Sequence, residues 1–382
     1  MTQAESLRPV FRYRRVTPDF VQRTQAARKV LVILYGGLGD LVHGVPALWS
    51  IRRAYPQARL EVLANGRYTA FFELLPWIDG HLAYHTRQAG LTWSEWQLLH
   101  RLRRAGYELT INLTGNNHGC LLAWASGARW RLGRRAYYDR KIGWRWLQTE
   151  VMDFRYEREP MYRQWLECLA QAGFSGTAEF PLELPAQALA GTGVTAADAG
   201  SYVHVSPCKS FDAGQLKPVH MVELLEGLHA RWPQYRLVLS VSDSPRELAQ
   251  IDAILARLSF VPWRVYRGTL DVVRLCAMIR GAALHLSPDT GPLHLAWMFG
   301  VPTVSWFLSR FDTLEYLPSP PHRAFVFARH AADGLEGVDP QALLAAAEEL
   351  LGTRAAAPEL AQRIPRARPA SLDGAGAAAY GS

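Results

Sequence analysis

Residues 284–307 constrain this chain more than any other stretch. They read Leu-His-Leu-Ser-Pro-Asp-Thr-Gly-Pro-Leu-His-Leu-Ala-Trp-Met-Phe-Gly-Val-Pro-Thr-Val-Ser-Trp-Phe. The pattern parses as strand, tight turn, short helix and second strand. The turn is Ser287 to Gly291. Pro292 suits the first helical position, where its missing N–H costs nothing. Leu293, Ala296, Trp297 and Gly300 form an apolar stripe, and Gly300 stops the helix. Val301 to Phe307 is an apolar run suited to a buried strand. A helix start carries open N–H groups and partial positive charge, so the turn suits a phosphate. Asp289 and Thr290 are natural caps, and Gly291 lets a ligand come close to the backbone. His294 falls one turn into the helix and can face the same ligand. An ordinary capped strand–turn–helix would use many of the same residues.

A second glycine turn lies near the N-terminus. Lys29 to Tyr35 is a strand by composition, followed by Gly36-Gly37-Leu38-Gly39-Asp40 and a helix to about Tyr55. Leu60 to Leu63 is the next strand. This is a β–loop–α–β unit of the nucleotide-binding type. The dinucleotide fingerprint fails, because the sixth position counted from Gly37 is Val42 and no acidic residue closes the second strand. A nicotinamide enzyme is therefore disfavoured. The loop instead supplies one carboxylate, Asp40, on a strand-to-helix turn, where it also serves as a helix-start residue.

Two such motifs, in this order, resemble the bacterial heptosyltransferases, glycosyltransferase family 9. The resemblance is carried by Gly39-Asp40 with Pro46-Ala47-Leu48, and by Asp289-Thr290-Gly291-Pro292-Leu293-His294 with Gly300-Val301-Pro302-Thr303. Arg52-Arg53-Ala54-Tyr55-Pro56 also looks familial. It implies an α/β chain of GT-B architecture, two Rossmann-like doubly wound domains facing a central cleft. It implies an inverting, metal-independent glycosyltransferase that needs no cofactor. The first domain would bind a glycan acceptor such as lipopolysaccharide core, through Gly37, Gly39, His43 and His118. The second would bind a nucleotide sugar, by resemblance ADP-heptose, through Ser287, Asp289, Thr290, Gly291, His294 and Thr269. Asp40 would take the proton from the acceptor hydroxyl. Related sequences place a lysine before the Pro that opens the next helix, to neutralise the donor diphosphate. Here Gly214 or Gln215 falls at that place, and Lys209 or Lys217 would substitute.

The rest of the chain is read around these motifs. Tyr107 to Leu113 is a strand whose loop, Thr114 to His118, falls on the ligand-binding edge of such a sheet. Relatives commonly carry Asp where this chain has Asn112, so Asn112 receives no catalytic role. Arg129, Trp130, Arg131, Arg134, Arg135, Arg140, Lys141, Trp144, Arg145 and Trp146 form a basic, aromatic segment. By composition it suits a solvated loop with inward-packed Trp residues or single-stranded nucleic acid; the resemblance implies a phosphorylated sugar acceptor instead. Met161 to Ala172 reads as a helix, and residues 175–200 as a linker or exposed approach to a second domain. Tyr202 to Val205, Leu237 to Val241 and Trp263 to Arg267 are strands alternating with helices, and 340–352 is a last helix. The expected divisions are a basic tail over 1–28, an acceptor domain over 29–185, a donor domain over 186–353 and a disordered tail over 354–382.

Composition agrees with two packed domains. The chain has 382 residues, 49% of them hydrophobic, with 13 Trp to fill cores. A net charge of +8 favours acidic partners, such as nucleotide diphosphates, anionic glycolipids or a membrane surface. The alternatives are a GT-B glycosyltransferase with another nucleotide-sugar donor or a protein acceptor, and a GT-B protein that binds a nucleotide or glycan without turnover, which the irregular lysine position supports and Asp40 opposes; a nucleic-acid binder is a further rival, based on charge. Cys120, Cys168, Cys208 and Cys276 are scattered, without metal spacing, as in a reduced cytoplasmic protein. No long apolar run precedes residue 29, so any membrane contact is expected to be peripheral.

Overall fold

The computed structural model describes residues 14–85, 93–134, 147–153, 160–209, 216–307, 323–327 and 337–356. The first half runs α1 (Phe20–Thr24), β1 (Lys29–Ile33), α2 (Leu38–Ala54), β2 (Arg59–Asn65), a 3-10 segment (Gly66–Leu74), β3 (Gly80–Tyr84), α3 (Trp93–Arg104), β4 (Leu109–Asn112), α4 (Asn117–Ala125), β5 (Trp130–Arg134), β6 (Glu150–Met152) and α5 (Met161–Ala170). The second runs β7 (Tyr202–Val205), α6 (Pro218–Arg231), β8 (Arg236–Val241), α7 (Pro245–Leu255), β9 (Arg264–Arg267), α8 (Val272–Gly281), β10 (Leu284–Pro288), α9 (Gly291–Met298), β11 (Thr303–Phe307), β12 (Arg323–Phe327) and α10 (Pro340–Ala356).

Each half builds one six-stranded sheet, ordered β3-β2-β1-β4-β5-β6 and β12-β11-β10-β7-β8-β9. The strand pairs are parallel throughout. Numbered from its own first strand, each sheet has the doubly wound order in which direction reverses between the first and fourth strands. Those reversal points are β1/β4 and β7/β10. Ligands of open parallel sheets bind in such crevices, beyond the strand C-termini. The loops there include 34–37 and 113–116 in one half, and 206–209 and 289–290 in the other.

The central strands follow from burial on both faces. Val30, Leu31, Val32 and Ile33 are fully buried, as a parallel strand covered on both sides requires. Apolar packing does not stop at the boundary between halves. One cluster includes Val45, Leu48 and Phe72 of the first half together with Val272, Leu295 and Phe299 of the second.

Two segments differ from the sequence expectation. Part of the stretch expected as a basic tail is built into the first half. Phe20 is fully buried and sits edge-on against Trp130, and Arg23 donates to both carboxylate oxygens of the buried Glu150 at 2.8 and 2.9 Å. The backbone N–H of Val16 also bonds the Val151 carbonyl at 3.0 Å. The apolar payload of one Phe and a paired arginine outweigh a locally polar composition. Residues 1–13 lie outside the described residues.

The expected exposed linker is a strap rather than a free connection. Leu182, Leu184 and Leu189 pack on the core, Ala188 and Val194 are buried, and Trp77 Nε1 donates to the Pro181 carbonyl at 2.9 Å. Proline and glycine set its irregular backbone, while its apolar side chains hold it down. Position 185, the expected boundary, falls within this strap. At the other end, α10 continues to Ala356, past the expected end of the second domain, and residues 357–382 lie outside the described residues.

Candidate active site

The two crevices face each other where the N-terminus of α2 meets that of α9. Glycine permits this approach. A Cβ on Gly39 would fall 2.6 Å from His294 Cδ2 and 2.8 Å from Nε2. A Cβ on Gly291 would fall 2.9 Å from Leu38 Cβ. Any side chain at either position would push the helices apart.

Asp40 occupies the first turn of α2. Its Oδ2 accepts the N–H of Gly37 at 2.8 Å, closing the helix start, and the carboxylate is only half-buried. Gly36 is needed there too, because a Cβ would lie 2.9 Å from Asp40 Cγ. Gly37 is exposed and is the N-cap. Arg134 is half-buried at the end of β5. It donates to the Thr114 carbonyl at 3.1 Å, and a Cβ on Gly115 would fall 2.5 Å from its Nε. Burial pulls the Arg134 guanidinium below its ordinary value, and the Asp40 charge works against that. The basic segment thus contributes an internal cation near the crevice. Its residues 135–146 lie outside the described residues.

Across the junction, Thr290 is the extended N-cap of α9, but its hydroxyl donates back to the Pro288 carbonyl at 3.3 Å instead of capping the helix. The Gly291 end is therefore not closed by a side-chain cap. Asp289 Oδ1 lies 3.4 Å from His294 Nε2. Burial acts to raise the Asp289 carboxyl, but the bond and charge of His294 and the charge of Lys209 bring it below the usual carboxylate value. Of the two candidate lysines, Lys209 is thus the one whose charge reaches this turn. Lys217 is exposed as the N-cap residue of α6. Gly214 and Gln215 lie outside the described residues.

Several expected site residues land elsewhere. His43 does not line the cleft, because it is fully buried between the halves. Its Nε2 is 3.1 Å from His294 Nδ1, and its ring stacks on Trp297 at 4.8 Å between centroids. One helical turn beyond Asp40, it becomes a contact between the two sheets' helices. Ser287 is also fully buried, 3.0 Å from His285 Nε2, and so lies beneath the turn and not on its surface. Thr269 is exposed after the edge strand β9, two strands from the β7/β10 crevice. His118 stays with the β1/β4 crevice, half-buried in the first turn of α4, 2.8 Å from the Tyr84 hydroxyl. Burial pulls its imidazole below the ordinary value.

The sequence reading missed a buried polar line in the second sheet. His204 Nδ1 and His285 Nδ1 are 2.9 Å apart, and both rings are fully buried. The signal was present as His-x-Ser in two otherwise apolar strands. Burial pushes His204 down from 6.5 to about 3, and His285 well below its ordinary value. A base whose folded pKa is depressed takes up protons in the unfolded chain first. Stability is therefore whole above about pH 6.5 and falls as pH drops, by up to about 1.4 kcal/mol per pH unit for each histidine. Melting curves between pH 7.5 and 4.5 should show a shallower loss for His285→Asn than for the unaltered chain. Equal slopes would assign the acid sensitivity to other groups.

Among the described residues, no group of three or more His, Cys, Asp or Glu side chains is placed to hold a metal ion. No helix among them is long and apolar enough to cross a membrane.

A family model, glycosyltransferase family 9 (heptosyltransferase), matches residues 95–310, more than half of the chain. The chain belongs to glycosyltransferase family 9. It is 22% identical over 298 residues to the lipopolysaccharide core heptosyltransferase OpsX of Haemophilus influenzae, covering 74% of this chain and 80% of that protein. Among solved structures it resembles a family 9 glycosyl transferase from Veillonella parvula, with a TM-score of 0.71 at 18% identity, covering 85% of this chain and 98% of that one. It also resembles the E. coli heptosyltransferase WaaC solved with ADP-2-deoxy-2-fluoro heptose, with a TM-score of 0.66 at 17% identity, covering 84% and 99%. As a family 9 glycosyltransferase, the chain has the two-domain GT-B fold, and its two glycine turns sit at the facing crevices.

Proposed function

We propose that this glycosyltransferase moves a heptose from ADP-heptose onto a lipopolysaccharide core acceptor, with inversion and without a metal. The observation that carries the reading is the α2/α9 junction. It holds an accessible carboxylate at one helix start and an anion-suited helix start opposite. The relatives' names supply the sugar and the acceptor. In this mechanism Asp40 removes the proton from an acceptor hydroxyl as its oxygen attacks the anomeric carbon. The bond from that carbon to the diphosphate oxygen breaks, through a transition state with oxocarbenium character. The N–H groups at the start of α9, His294 and Lys209 offset the charge that builds on the leaving diphosphate. Asp289 orients the turn or bonds a donor hydroxyl, since a carboxylate facing a diphosphate would repel it. Gly37, Gly39 and His118 border the acceptor side. The donor occupies the half that begins near residue 186.

The test is a donor screen. The purified chain is incubated with ADP-heptose and with UDP-, GDP- and ADP-hexoses, and stabilisation and nucleotide release are followed with and without EDTA. Selective stabilisation by ADP-heptose is expected, worth about 2.7 kcal/mol at a hundredfold excess over Kd. Nucleotide release should be insensitive to EDTA. Selectivity for another nucleotide sugar would overturn the donor, and no response to any donor would favour a non-catalytic relative.

Peripheral contact with an anionic membrane is part of the same reading. Trp93 and Trp96 are 77% and 56% exposed, one turn apart on α3. Arg101, Arg103 and Arg104 follow in its last turn. Indole rings favour the membrane–water interface and arginines favour anionic headgroups. Trp93→Ser with Trp96→Ser should reduce co-sedimentation with anionic vesicles about tenfold while leaving transfer to a water-soluble acceptor fragment intact. Unchanged sedimentation would remove α3 from the membrane contact.

A further inference from the structure

Strands β7 and β10 carry the same pattern, His204-Val205-Ser206 and His285-Leu286-Ser287, and their register pairs His204 with His285. Val203, Val205, Leu284 and Leu286 pack into the apolar cluster on one face, so the polar residues share the other. The two rings lie edge to edge and nearly coplanar, with centroids 5.1 Å apart and planes 21° apart, as an in-plane bond between the Nδ1 atoms requires. His204 Nε2 lies 3.1 Å from Ser240 Oγ on β8, and that hydroxyl lies 3.3 Å from Ser206 Oγ. At the other end, His285 Nε2 meets Ser287 Oγ at 3.0 Å. The chain Ser206–Ser240–His204–His285–Ser287 thus starts where the Lys209 loop begins and ends just before the Asp289 turn.

A neutral imidazole has one N–H and one bare nitrogen. Only one proton fits between the facing Nδ1 atoms, so the two rings must be opposite tautomers. Burial keeps both neutral at ordinary pH. The chain therefore has two directions. In one, Ser206 donates to Ser240, Ser240 to His204, His204 to His285 and His285 to Ser287, which leaves the Ser287 proton pointing onward. In the other, each bond reverses and the onward proton belongs to Ser206. No proton is gained or lost between them. Beside Ser287, its register partner Ser305 carries a fully buried hydroxyl that makes no hydrogen bond among the described residues.

We propose that His204 and His285 are positioning residues that couple the two donor-side loops, the Lys209 loop and the Asp289–Gly291 turn, through the direction of this chain. A diphosphate that draws a hydrogen bond at one loop selects one direction and so sets the hydroxyl at the other. This rests on the reading that the nucleotide lies at the start of α9. Neither ring touches the ligand; each acts through the serine beyond it.

The experiment cuts the chain at separate places and reads ADP affinity by calorimetry. His285→Asn keeps a partner for His204 but does not reach Ser287. Ser240→Ala removes one hydroxyl on β8, a strand that belongs to neither loop. Each is expected to weaken ADP about fivefold, the worth of one ordinary hydrogen bond. Because one chain is cut, the double variant is expected to be no weaker than either single one. In turnover the loss should fall on donor KM and leave kcat within about twofold. Nitrogen-15 spectra of the unaltered protein should show one Nδ1–H and one Nε2–H ring. Folded variants that melt lower yet bind ADP like the unaltered chain would overturn the proposal alone, as would additive losses or two rings of the same tautomer. An unaltered chain that binds no ADP would overturn the proposal together with the reading beneath it.

Discussion

Asp40→Asn is expected to lower kcat by about 10²–10⁴-fold, the range for loss of a positioned general base, with ADP affinity within about twofold. The substitution isolates charge from structure. Asp40 Oδ2 accepts the Gly37 N–H at 2.8 Å, and an asparagine oxygen can accept it equally. Asp40→Ala also removes that bond and should cost about 1 kcal/mol of stability through the helix start. The two variants should therefore match in transfer rate and differ in melting temperature. The nucleotide would bind across the junction, against the second sheet, so its affinity has no reason to change. A kcat for Asp40→Asn equal to that of the unaltered chain would remove the proposed base. A parallel loss of ADP binding would show that the two crevices are coupled more tightly than two facing loops.

Gly39→Val is expected to reduce kcat/KM by at least about 100-fold while both sheets stay folded. The new side chain must enter the space held by His294, 2.6 Å from where its Cβ would sit. That ring is buried, bonded to His43 and next to Asp289, so it cannot swing aside. Overpacking a close contact costs about 1–3 kcal/mol, which the junction can relieve by separating α2 from α9. Separation moves Asp40 away from the donor turn, and displacements near 1 Å can cost about two orders of magnitude in rate. Circular dichroism should be unchanged, which distinguishes this result from unfolding. Full activity in Gly39→Val would mean that the reaction does not use the closed junction seen here.

Much of the architecture was readable locally. Runs such as Val30 to Ile33 and Tyr202 to Val205 are strands because their side chains suit burial on a pleated surface, and Pro218 and Pro292 open helices because proline suits a helix start. The glycine turns were readable for the same reason, since few residues allow so close an approach to a helix N-terminus. Asp40 and Asp289 stood out through the motifs around them, since a carboxylate at a helix start is by itself an ordinary cap. The elements left unassigned include β3, β5, β6 and α3; the three strands are three to five residues long, too short for alternation to stand out, and α3 is polar on most of its surface.

What the sequence by itself determined is the pair of α/β halves, their glycine turns and the family resemblance. All three rest on interactions within about thirty residues, where spacing alone decides which side chains meet. The tertiary structure alone decided which residues meet across long separations. It buried His43 against His294 and Trp297, turned residues 175–200 into a strap, and built Phe20 and Arg23 into the first half. It also brought Lys209, rather than Lys217, to bear on Asp289, and paired His204 with His285 through strand register. The physical reason is common to all of these. Burial and register are properties of the assembled sheets, and a buried polar side chain is placed by the one partner that satisfies it, however far away in the chain that partner lies.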